Sequence, residues 1–184
     1  MKEFSNSLGK YLNVKHVIPC ANGTDAIELI LRSLNVGNGD EVLVPANTFI
    51  ATALAVIRTG AKPIFVDNDK YFLIDPKKVE NKIRKNTKAI IGVNLYGQIC
   101  DLKKLKNIAD KNNLYFIEDA AQSHGSRQNN INVGDNSIAA AYSFYPGKNL
   151  GGWRDGGAIT TNNRNIYKKL LKLRNVGSIE KYVH

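Results

Sequence analysis

Short apolar blocks alternate along this chain with amphipathic stretches, a pattern that predicts strands and helices in turn. After the Gly-Thr step at 23–24, apolar residues recur with helical spacing, whereas the next apolar block is short and stops at Pro45. The predicted strands are residues 41–44, 63–66, 89–93, 114–117, 139–144 and 157–161, and the predicted helices are residues 27–34, 49–58, 76–84, 102–111 and 166–174.

This alternation of strands and helices predicts an α/β fold. Strands that are connected by helices pair in parallel, and a parallel sheet is covered by helices on both faces. We therefore expect a three-layer α/β/α domain with a mostly parallel sheet, ending in a basic helix. The 184 residues are enough for one domain with a substantial core.

Composition argues against a membrane or secreted protein. The longest apolar run, residues 48–57, is shorter than the ~18 residues that span a bilayer, so we expect a buried helix there. The first residues lack the apolar stretch of a signal peptide. Cys20 and Cys100 have no metal-type spacing, and they predict reduced thiols in a cytoplasmic protein.

The formal net charge of +10 raises binding to nucleic acid or to a membrane surface as an alternative function. The lysines form three groups, within residues 77–88, 103–106 and 168–172, and all three groups lie on predicted helices with an apolar opposite face. This arrangement favours solvated helix faces, and no RNA-binding aromatic platform or helix-turn-helix signature accompanies it. We expect no nucleic-acid or membrane partner, and we expect the charge to attract anionic small molecules.

The most informative motif places Lys148 just after a Pro-Gly turn at the end of an apolar strand. A lysine attacks a carbonyl only when it is deprotonated, which requires burial or a nearby cation to lower its pKa from ~10.4. Phe144, Tyr145, Pro146 and Leu150 are neighbours that suit a partly desolvated amine. The alternative is a solvated loop lysine, the usual state of this residue type.

Two further stretches supply companion groups. Asp119 follows the predicted strand 114–117, at the end of a strand where α/β sheets bind ligands, although an aspartate there could also cap a helix. Gly23 and Thr24 open a helix whose first amides could hold a phosphate, although the same step occurs in ordinary turns. An amine, a carboxylate and a phosphate cradle are the protein groups that a pyridoxal phosphate site requires.

Six motifs, in their order and at their separations, closely resemble the pyridoxal phosphate-dependent nucleotide-sugar aminotransferases of fold type I, the DegT/DnrJ-like family. The resemblance extends from about Leu12 to His184. The motifs are ANGTDAIELILRSL (21–34), GDEVLVPANTFIATALAV (39–56), GAKPIFVD (60–67), LYGQ (95–98), IEDAAQSHG (117–125) and SFYPGKNLG (143–151).

The resemblance implies a role for each of seven residues. Lys148 would bind the cofactor as a Schiff base and then carry a proton between the amine carbon and the cofactor. Asp119 would pair with the pyridine nitrogen, Gln122 would contact the ring hydroxyl, and Phe49 would stack on the ring face. The residues implied to bind the phosphate are Gly23, Thr24 and Ser143.

The resemblance also implies a reaction, namely amino transfer from glutamate to a nucleotide-linked keto sugar in amino-sugar biosynthesis. Related sugar dehydratases have a histidine at the position of Lys148, so the lysine favours transamination. The motifs GTDAI, PANTFIATALAV and LYGQ look more like those of members that aminate a 3-keto sugar on thymidine diphosphate than of members acting at C4.

The chain departs from the family pattern at two points. Arg154 stands where a glycine is expected, and at positive φ an arginine would cost on the order of 1 kcal/mol, unless the loop tolerates it. Family members also have an N-terminal segment before the lead-in helix, and Met1 would lie within that helix. They also have a small C-terminal domain, and the linker to it would start at residues 181–184. We therefore interpret residues 1–184 as an incomplete cofactor-binding large domain, homodimeric when full length, with a catalytically incomplete fragment as the alternative.

Overall fold

The computed structural model describes residues 1–175 and 177–178, so the interpretation of 181–184 as the start of a linker lies outside the described residues. A 3₁₀ turn at Leu95–Gly97 follows β4. In chain order the other elements are α1 (Lys2–Leu12), β1 (His16–Cys20), α2 (Gly23–Ser33), β2 (Glu41–Pro45), α3 (Ile50–Arg58), β3 (Lys62–Val66), α4 (Pro76–Glu80), β4 (Thr87–Val93), α5 (Leu102–Lys111), β5 (Tyr115–Asp119), β6 (Arg127–Gln128), β7 (Ile131–Asn132), β8 (Ala139–Ser143), β9 (Gly157–Thr161) and α6 (Arg164–Arg174).

Seven strands form one sheet in the order β1-β9-β8-β5-β4-β2-β3. The pairs from β8 to β3 are all parallel, whereas β9 runs antiparallel to both of its neighbours, β8 and β1. The predicted α/β/α fold with a mostly parallel sheet is confirmed. Because β9 alone is reversed in this sheet, the carboxyl ends of β1, β5 and β8 lie along the same edge.

The central strands are buried because their sequences are nearly continuous apolar runs. Every residue of β8 and β9 is buried, and Lys88 is the one exposed residue of β4. Ile90, Ile117 and Ile159 are completely inaccessible to solvent and mark the core between the sheet and its helices. Strands that are buried on both faces are typical of parallel sheets.

The prediction of a helix over residues 76–84 is wrong in its second half. α4 ends at Glu80, with Asn81 as its C-cap. The backbone amide of Arg84 donates to the Thr87 hydroxyl oxygen at 2.9 Å rather than to a helical carbonyl, so the chain turns towards β4.

The shorter helix also corrects the placement of the first lysine group. Lys82 and Lys85 lie in exposed turns, and Lys88 is an exposed residue of β4, so this group does not share one helix face. No helix in the described part of the chain is long and apolar enough to cross a membrane.

The prediction of a buried helix over residues 48–57 is wrong for its outer half. The inner side of α3 buries Thr52, Ala53, Ala55 and Val56. The outer face of α3, which we define as Phe49, Ile50, Leu54 and Ile57, is exposed. One side of α3 is therefore buried and the other is exposed to solvent, although the helix sequence is apolar on almost every side.

Two parts of the sheet structure were not predicted. β1 lies at the edge of the large sheet and pairs only with β9, a position that tolerates Pro19 because an edge strand needs fewer backbone donors. The small hairpin of β6 and β7 turns through Asn129 and Asn130, whose φ angles of 48° and 63° suit asparagine.

Candidate active site

A cavity of about 690 Å³ opens at the carboxyl edge of the sheet. It lies where β1 leads into α2 and where β5 and β8 end, as expected for a ligand site in an α/β sheet. The structure brings together all seven residues that were predicted from the sequence, and the cavity is lined by Gly23, Thr24, Phe49, Asp119, Gln122, Ser143 and Lys148.

The start of α2 forms one end of the cavity. Asn22 caps the helix, and its side-chain oxygen accepts a hydrogen bond from the Asp25 amide at 2.8 Å. A Cβ atom at Gly23 would come within 2.9 Å of the Ser143 Cβ, so only glycine allows α2 to approach β8 this closely. The first helix amides, with the hydroxyls of Thr24 and Ser143 nearby, fit a phosphate group.

Asp119, the last residue of β5, forms the floor of the cavity and is only 6% exposed. Its Oδ2 accepts a hydrogen bond from the Thr52 hydroxyl at 2.8 Å, and its Oδ1 accepts one from the Ala121 amide at 3.1 Å. None of the ion pairs within residues 1–175 and 177–178 involves Asp119. A buried carboxylate without a salt-bridge partner fits a ligand with a cationic ring nitrogen.

The charge state of Asp119 depends on its surroundings. Burial raises the pKa of this carboxyl, whereas the hydrogen bonds from Thr52 and the Ala121 amide and the positive charge of Lys148 lower it. Because the Thr52 hydroxyl donates to the carboxylate, it accepts the 2.9 Å hydrogen bond from Thr48. Two threonine hydroxyls thus form an oriented chain that ends on Asp119.

Lys148 lies in a turn directly after β8. Its backbone amide donates to the Tyr145 carbonyl at 2.9 Å. The base of the loop is fixed because the Phe144 amide donates to the Gly156 carbonyl at 2.7 Å and the Gly152 amide donates to the Phe144 carbonyl at 2.8 Å. A fixed loop base holds the lysine at the cavity wall.

The apolar neighbours of Lys148 do not enclose it as the sequence suggested. Phe144 is buried, but Tyr145, Pro146 and Leu150 are exposed. Lys148 itself is half-buried. The predicted cluster of apolar side chains around Lys148 is therefore formed by Phe144 alone among these residues.

Arg154 does not strain the loop after Lys148. Arg154 is not among the described residues that have a positive φ angle. The arginine side chain is exposed, and Asp155 beside it lines the cavity. The loop therefore tolerates an arginine where family members have glycine.

Gln122 is held by an unusual backbone conformation. The Tyr96 amide donates to Gln122 Oε1 at 2.7 Å, and Tyr96 adopts a left-handed φ of 59°, which is rare for an aromatic residue. Because a backbone amide can only donate, the side-chain oxygen of Gln122 faces Tyr96. Its amide nitrogen is therefore the group that remains to donate to a ligand.

Sequence reasoning missed several residues of the site. Thr52 had a signal, because a hydroxyl four residues after Thr48 interrupts an apolar helix. His124, within the IEDAAQSHG motif, lies near the site without lining the cavity, and its ring centroid is 5.5 Å from that of Tyr142 and 5.3 Å from that of Phe144. Burial lowers the pKa of His124, a hydrogen bond with the Ser143 backbone partly opposes this, and the charge of Lys148 lowers the pKa further.

The fold and the cavity together have the layout of fold type I aminotransferases: a mostly parallel sheet with an amine, a buried carboxylate and a phosphate cradle at its carboxyl edge. The family model described as the DegT/DnrJ/EryC1/StrS aminotransferase family matches residues 1–184. The chain belongs to this family.

Several relatives of this chain are named as nucleotide-sugar aminotransferases. A dTDP-3-amino-3,6-dideoxy-alpha-D-galactopyranose transaminase of Aneurinibacillus thermoaerophilus is 50% identical over 181 residues, covering 98% of this chain and 50% of the relative. A dTDP-3-amino-3,4,6-trideoxy-alpha-D-glucose transaminase of Streptomyces venezuelae is 43% identical, covering 100% and 49%. A UDP-2-acetamido-2-deoxy-3-oxo-D-glucuronate aminotransferase of Pseudomonas aeruginosa is 41% identical, covering 99% and 51%.

Solved structures show the same fold. The crystal structure of S. venezuelae DesV in complex with a ketimine intermediate superimposes with a TM-score of 0.97 at 43% identity, covering 100% of this chain and 50% of DesV. NtdA from Bacillus subtilis with bound cofactor PMP gives a TM-score of 0.89 at 40% identity, covering 93% and 39%. The chain thus spans about half the length of the relatives that it matches.

Proposed function

We propose that this chain is the cofactor-binding large domain of a pyridoxal phosphate-dependent aminotransferase that acts on a nucleotide-linked keto sugar. The observation that carries this proposal is that one cavity brings together Lys148, Asp119 and the start of α2, where Gly23 and Thr24 form what we call the α2 cradle. Family membership and the bound PMP of NtdA support the cofactor.

Each proposed role is carried over from the family resemblance, and the chemistry of the residue is compatible with it. Pyridoxal phosphate, when bound, acts as an electron sink that allows a proton to leave the carbon next to an amine. Lys148 would attach the cofactor, and its amine, when not bound to the cofactor, would hold and move that proton. Asp119 keeps the ring nitrogen protonated, Gln122 donates to the ring hydroxyl, and Phe49 covers one ring face. The residues proposed to bind the phosphate are Gly23, Thr24 and Ser143.

We propose a dTDP-linked 3-keto-6-deoxyhexose as the amino acceptor and glutamate as the donor. The names of the A. thermoaerophilus and S. venezuelae transaminases both specify a 3-amino sugar on dTDP, and that of the P. aeruginosa relative specifies a 3-oxo sugar on UDP. These three names agree on C3 and differ in the nucleotide. They therefore support amination at C3 more strongly than they support dTDP as the nucleotide.

We further propose that the complete enzyme is a cytoplasmic homodimer. The outer face of α3 exposes apolar side chains next to the cavity, as expected of a surface that another part of the assembly covers. Cys20 and Cys100 are free thiols, which agrees with a reducing compartment. Alone, the 184 residues would bind cofactor weakly and turn over little, because catalysis requires reacting groups to be held in a narrow geometry.

The test is amino transfer from glutamate to a dTDP-linked 3-keto-6-deoxyhexose. The 184-residue chain is compared with a form extended through the second half that its relatives possess, at equal cofactor. UDP-linked 3-keto and dTDP-linked 4-keto sugars serve as competing substrates. We expect the extended form to prefer the dTDP 3-keto sugar; preference for a 4-keto sugar would reject the C3 assignment, and equal activity of both forms would reject the incomplete-domain interpretation.

The same preparation tests nucleic-acid binding, the second candidate function suggested by the net charge of +10. Steeply salt-dependent retention on DNA without a cofactor absorbance band would favour that function over the enzyme.

A further inference from the structure

Arg58, at the carboxyl end of α3, lines the cavity together with Gly23 and Thr24 of the α2 cradle. Its guanidinium Nη1 lies 3.2 Å from Oδ1 of Asp25. Within residues 1–175 and 177–178, Lys148 and Arg58 are the two cations that line this cavity. Since Lys148 is assigned to covalent attachment, Arg58 is the cation left to act at the phosphate end.

Asp25 brings a negative charge to the same end of α2. It is the third residue of the helix, directly after Thr24, and Asn22 Nδ2 donates to its Oδ2 at 3.1 Å. A carboxylate in the first turn interacts favourably with the helix dipole. The same carboxylate repels a phosphate bound on the first amides, because both anions then lie well within the ~10 Å over which salt screens charge.

The remaining charges of this cluster neutralise each other. Arg58 Nη1 also lies 3.6 Å from Oε2 of Glu28, but Glu28 already pairs with Arg32 at 2.9 Å. With two carboxylates and two guanidinium groups, the cluster is neutral as long as Arg58 is present. Removal of Arg58 alone leaves one uncompensated negative charge beside the cradle.

We propose that Arg58 is the countercharge of Asp25, and that the net charge of this pair sets the affinity of the α2 cradle for the phosphate of pyridoxal phosphate. This inference rests on the proposed cofactor. Arg58 is a positioning residue in this account, because its charge, together with that of Asp25, acts on the phosphate of the cofactor rather than on the reacting atoms. Its effect is therefore confined to ligands that carry the phosphate.

The experiment is a double-mutant cycle in the full-length protein that contains this chain, with cofactor affinity measured from the absorbance of the bound form. Arg58→Met should weaken pyridoxal phosphate binding about tenfold, Asp25→Asn should strengthen it about threefold, and the double variant should return to within about threefold of wild type. Pyridoxal, which lacks the phosphate, should bind all four proteins within about twofold. Raising the salt concentration should shrink the differences for pyridoxal phosphate.

Arg84→Met is the matched control. Arg84 also pairs with a glutamate, at 3.8 Å from Glu41, and is 60% exposed, but it does not line the cavity. Its loss should leave both affinities unchanged. If Arg58→Met fails to fold, as checked by thermal unfolding, the conservative Asp25→Asn still tests the inference by its tighter binding of pyridoxal phosphate.

Three results would overturn the inference. They are an equal loss of pyridoxal and pyridoxal phosphate binding in Arg58→Met, no recovery in the double variant, and unchanged binding of pyridoxal phosphate in Asp25→Asn. Failure of the wild-type protein to bind pyridoxal phosphate at all would instead reject the proposed cofactor, and the inference with it.

Discussion

The floor and the outer wall of the cavity differ in how completely this chain builds them. On the floor, Asp119 is buried and receives hydrogen bonds from Thr52 and the Ala121 amide. The outer wall, by which we mean the outer face of α3, is open to solvent, and Phe49 in it is 68% exposed. The floor is thus organised within these residues, whereas the outer wall presents apolar groups to solvent.

This difference separates the part of the cavity that these residues organise by themselves from the part that is open to solvent. The hydrogen bonds that orient Asp119 come from within the chain, whereas exposed apolar groups mark a contact surface. The chain covers about half the length of its relatives, which agrees with this division. Substitutions on the floor should therefore alter chemistry and stability, and substitutions on the outer wall should leave the fold almost unchanged.

The largest expected effect is at Lys148. Lys148→Ala should lower amino transfer by more than about 10³-fold, because the covalent attachment and the proton carrier are lost together. Steady-state rates and the cofactor absorbance band measure it. Lys88→Ala, an exposed lysine of β4, is the control and should behave as wild type. Retention of the imine absorbance band in Lys148→Ala would show that Lys148 does not attach the cofactor.

Asp119→Asn should come next, lowering the rate of amino transfer by roughly 10²-fold or more while cofactor stays bound. An amide cannot hold the pyridine nitrogen protonated as a carboxylate does. Single-turnover kinetics at saturating cofactor isolate this step. Asp110→Asn, which changes an exposed aspartate of α5, is the charge-matched control. Turnover close to wild type in Asp119→Asn would show that the floor carboxylate has no part in the reaction.

Thr52→Val should have an intermediate effect, lowering the free energy of unfolding by about 1–3 kcal/mol because it leaves the buried Asp119 without a hydroxyl donor. Thr59→Val is a matched control on the same helix, where the hydroxyl donates to the Val56 carbonyl at 2.8 Å in a half-buried position. Denaturant unfolding measures both. Equal losses of unfolding free energy in the two variants would mean that the hydrogen bond to Asp119 stabilises the protein no more than an ordinary hydroxyl–carbonyl bond.

The smallest expected effect is on the outer wall. Ile57→Asn should change the free energy of unfolding by less than about 0.5 kcal/mol, since Ile57 is 55% exposed, and it should reduce non-specific association of the chain. Val56→Ala, one residue away on the buried side, should cost about 2 kcal/mol. A large loss in Ile57→Asn would show that the outer face of α3 is already packed.

The sequence predicted the floor better than the rest because strand ends and motifs are local features. The place of Asp119 at the end of β5 and of Lys148 after β8 followed from short apolar runs with polar residues behind them. Arg58 could not be assigned to the site, since its contact with Asp25 depends on the packing of α3 against α2. β1 was not predicted because a proline such as Pro19 argues against a strand. The sheet order shows that β1 is an edge strand, where a proline is tolerated.

The outer wall was also mispredicted for a physical reason. An apolar helix sequence indicates burial against some partner, but it does not say whether that partner lies within the same chain. Residues 48–57 were predicted to be buried, and the described residues bury only the inner side of α3. The left-handed conformation of Tyr96 could not be predicted either, because this conformation is usually adopted by glycine or asparagine and not by tyrosine.

Borohydride reduction of the cofactor-loaded protein, followed by peptide mapping, tests the central claim most directly. Reduction fixes a Schiff base as a stable amine on the residue that formed it, independently of any assumed substrate. We predict that the modified peptide carries the adduct on Lys148. An adduct on another lysine, or none at all in the full-length protein, would contradict the assignment of this cavity as a pyridoxal phosphate site.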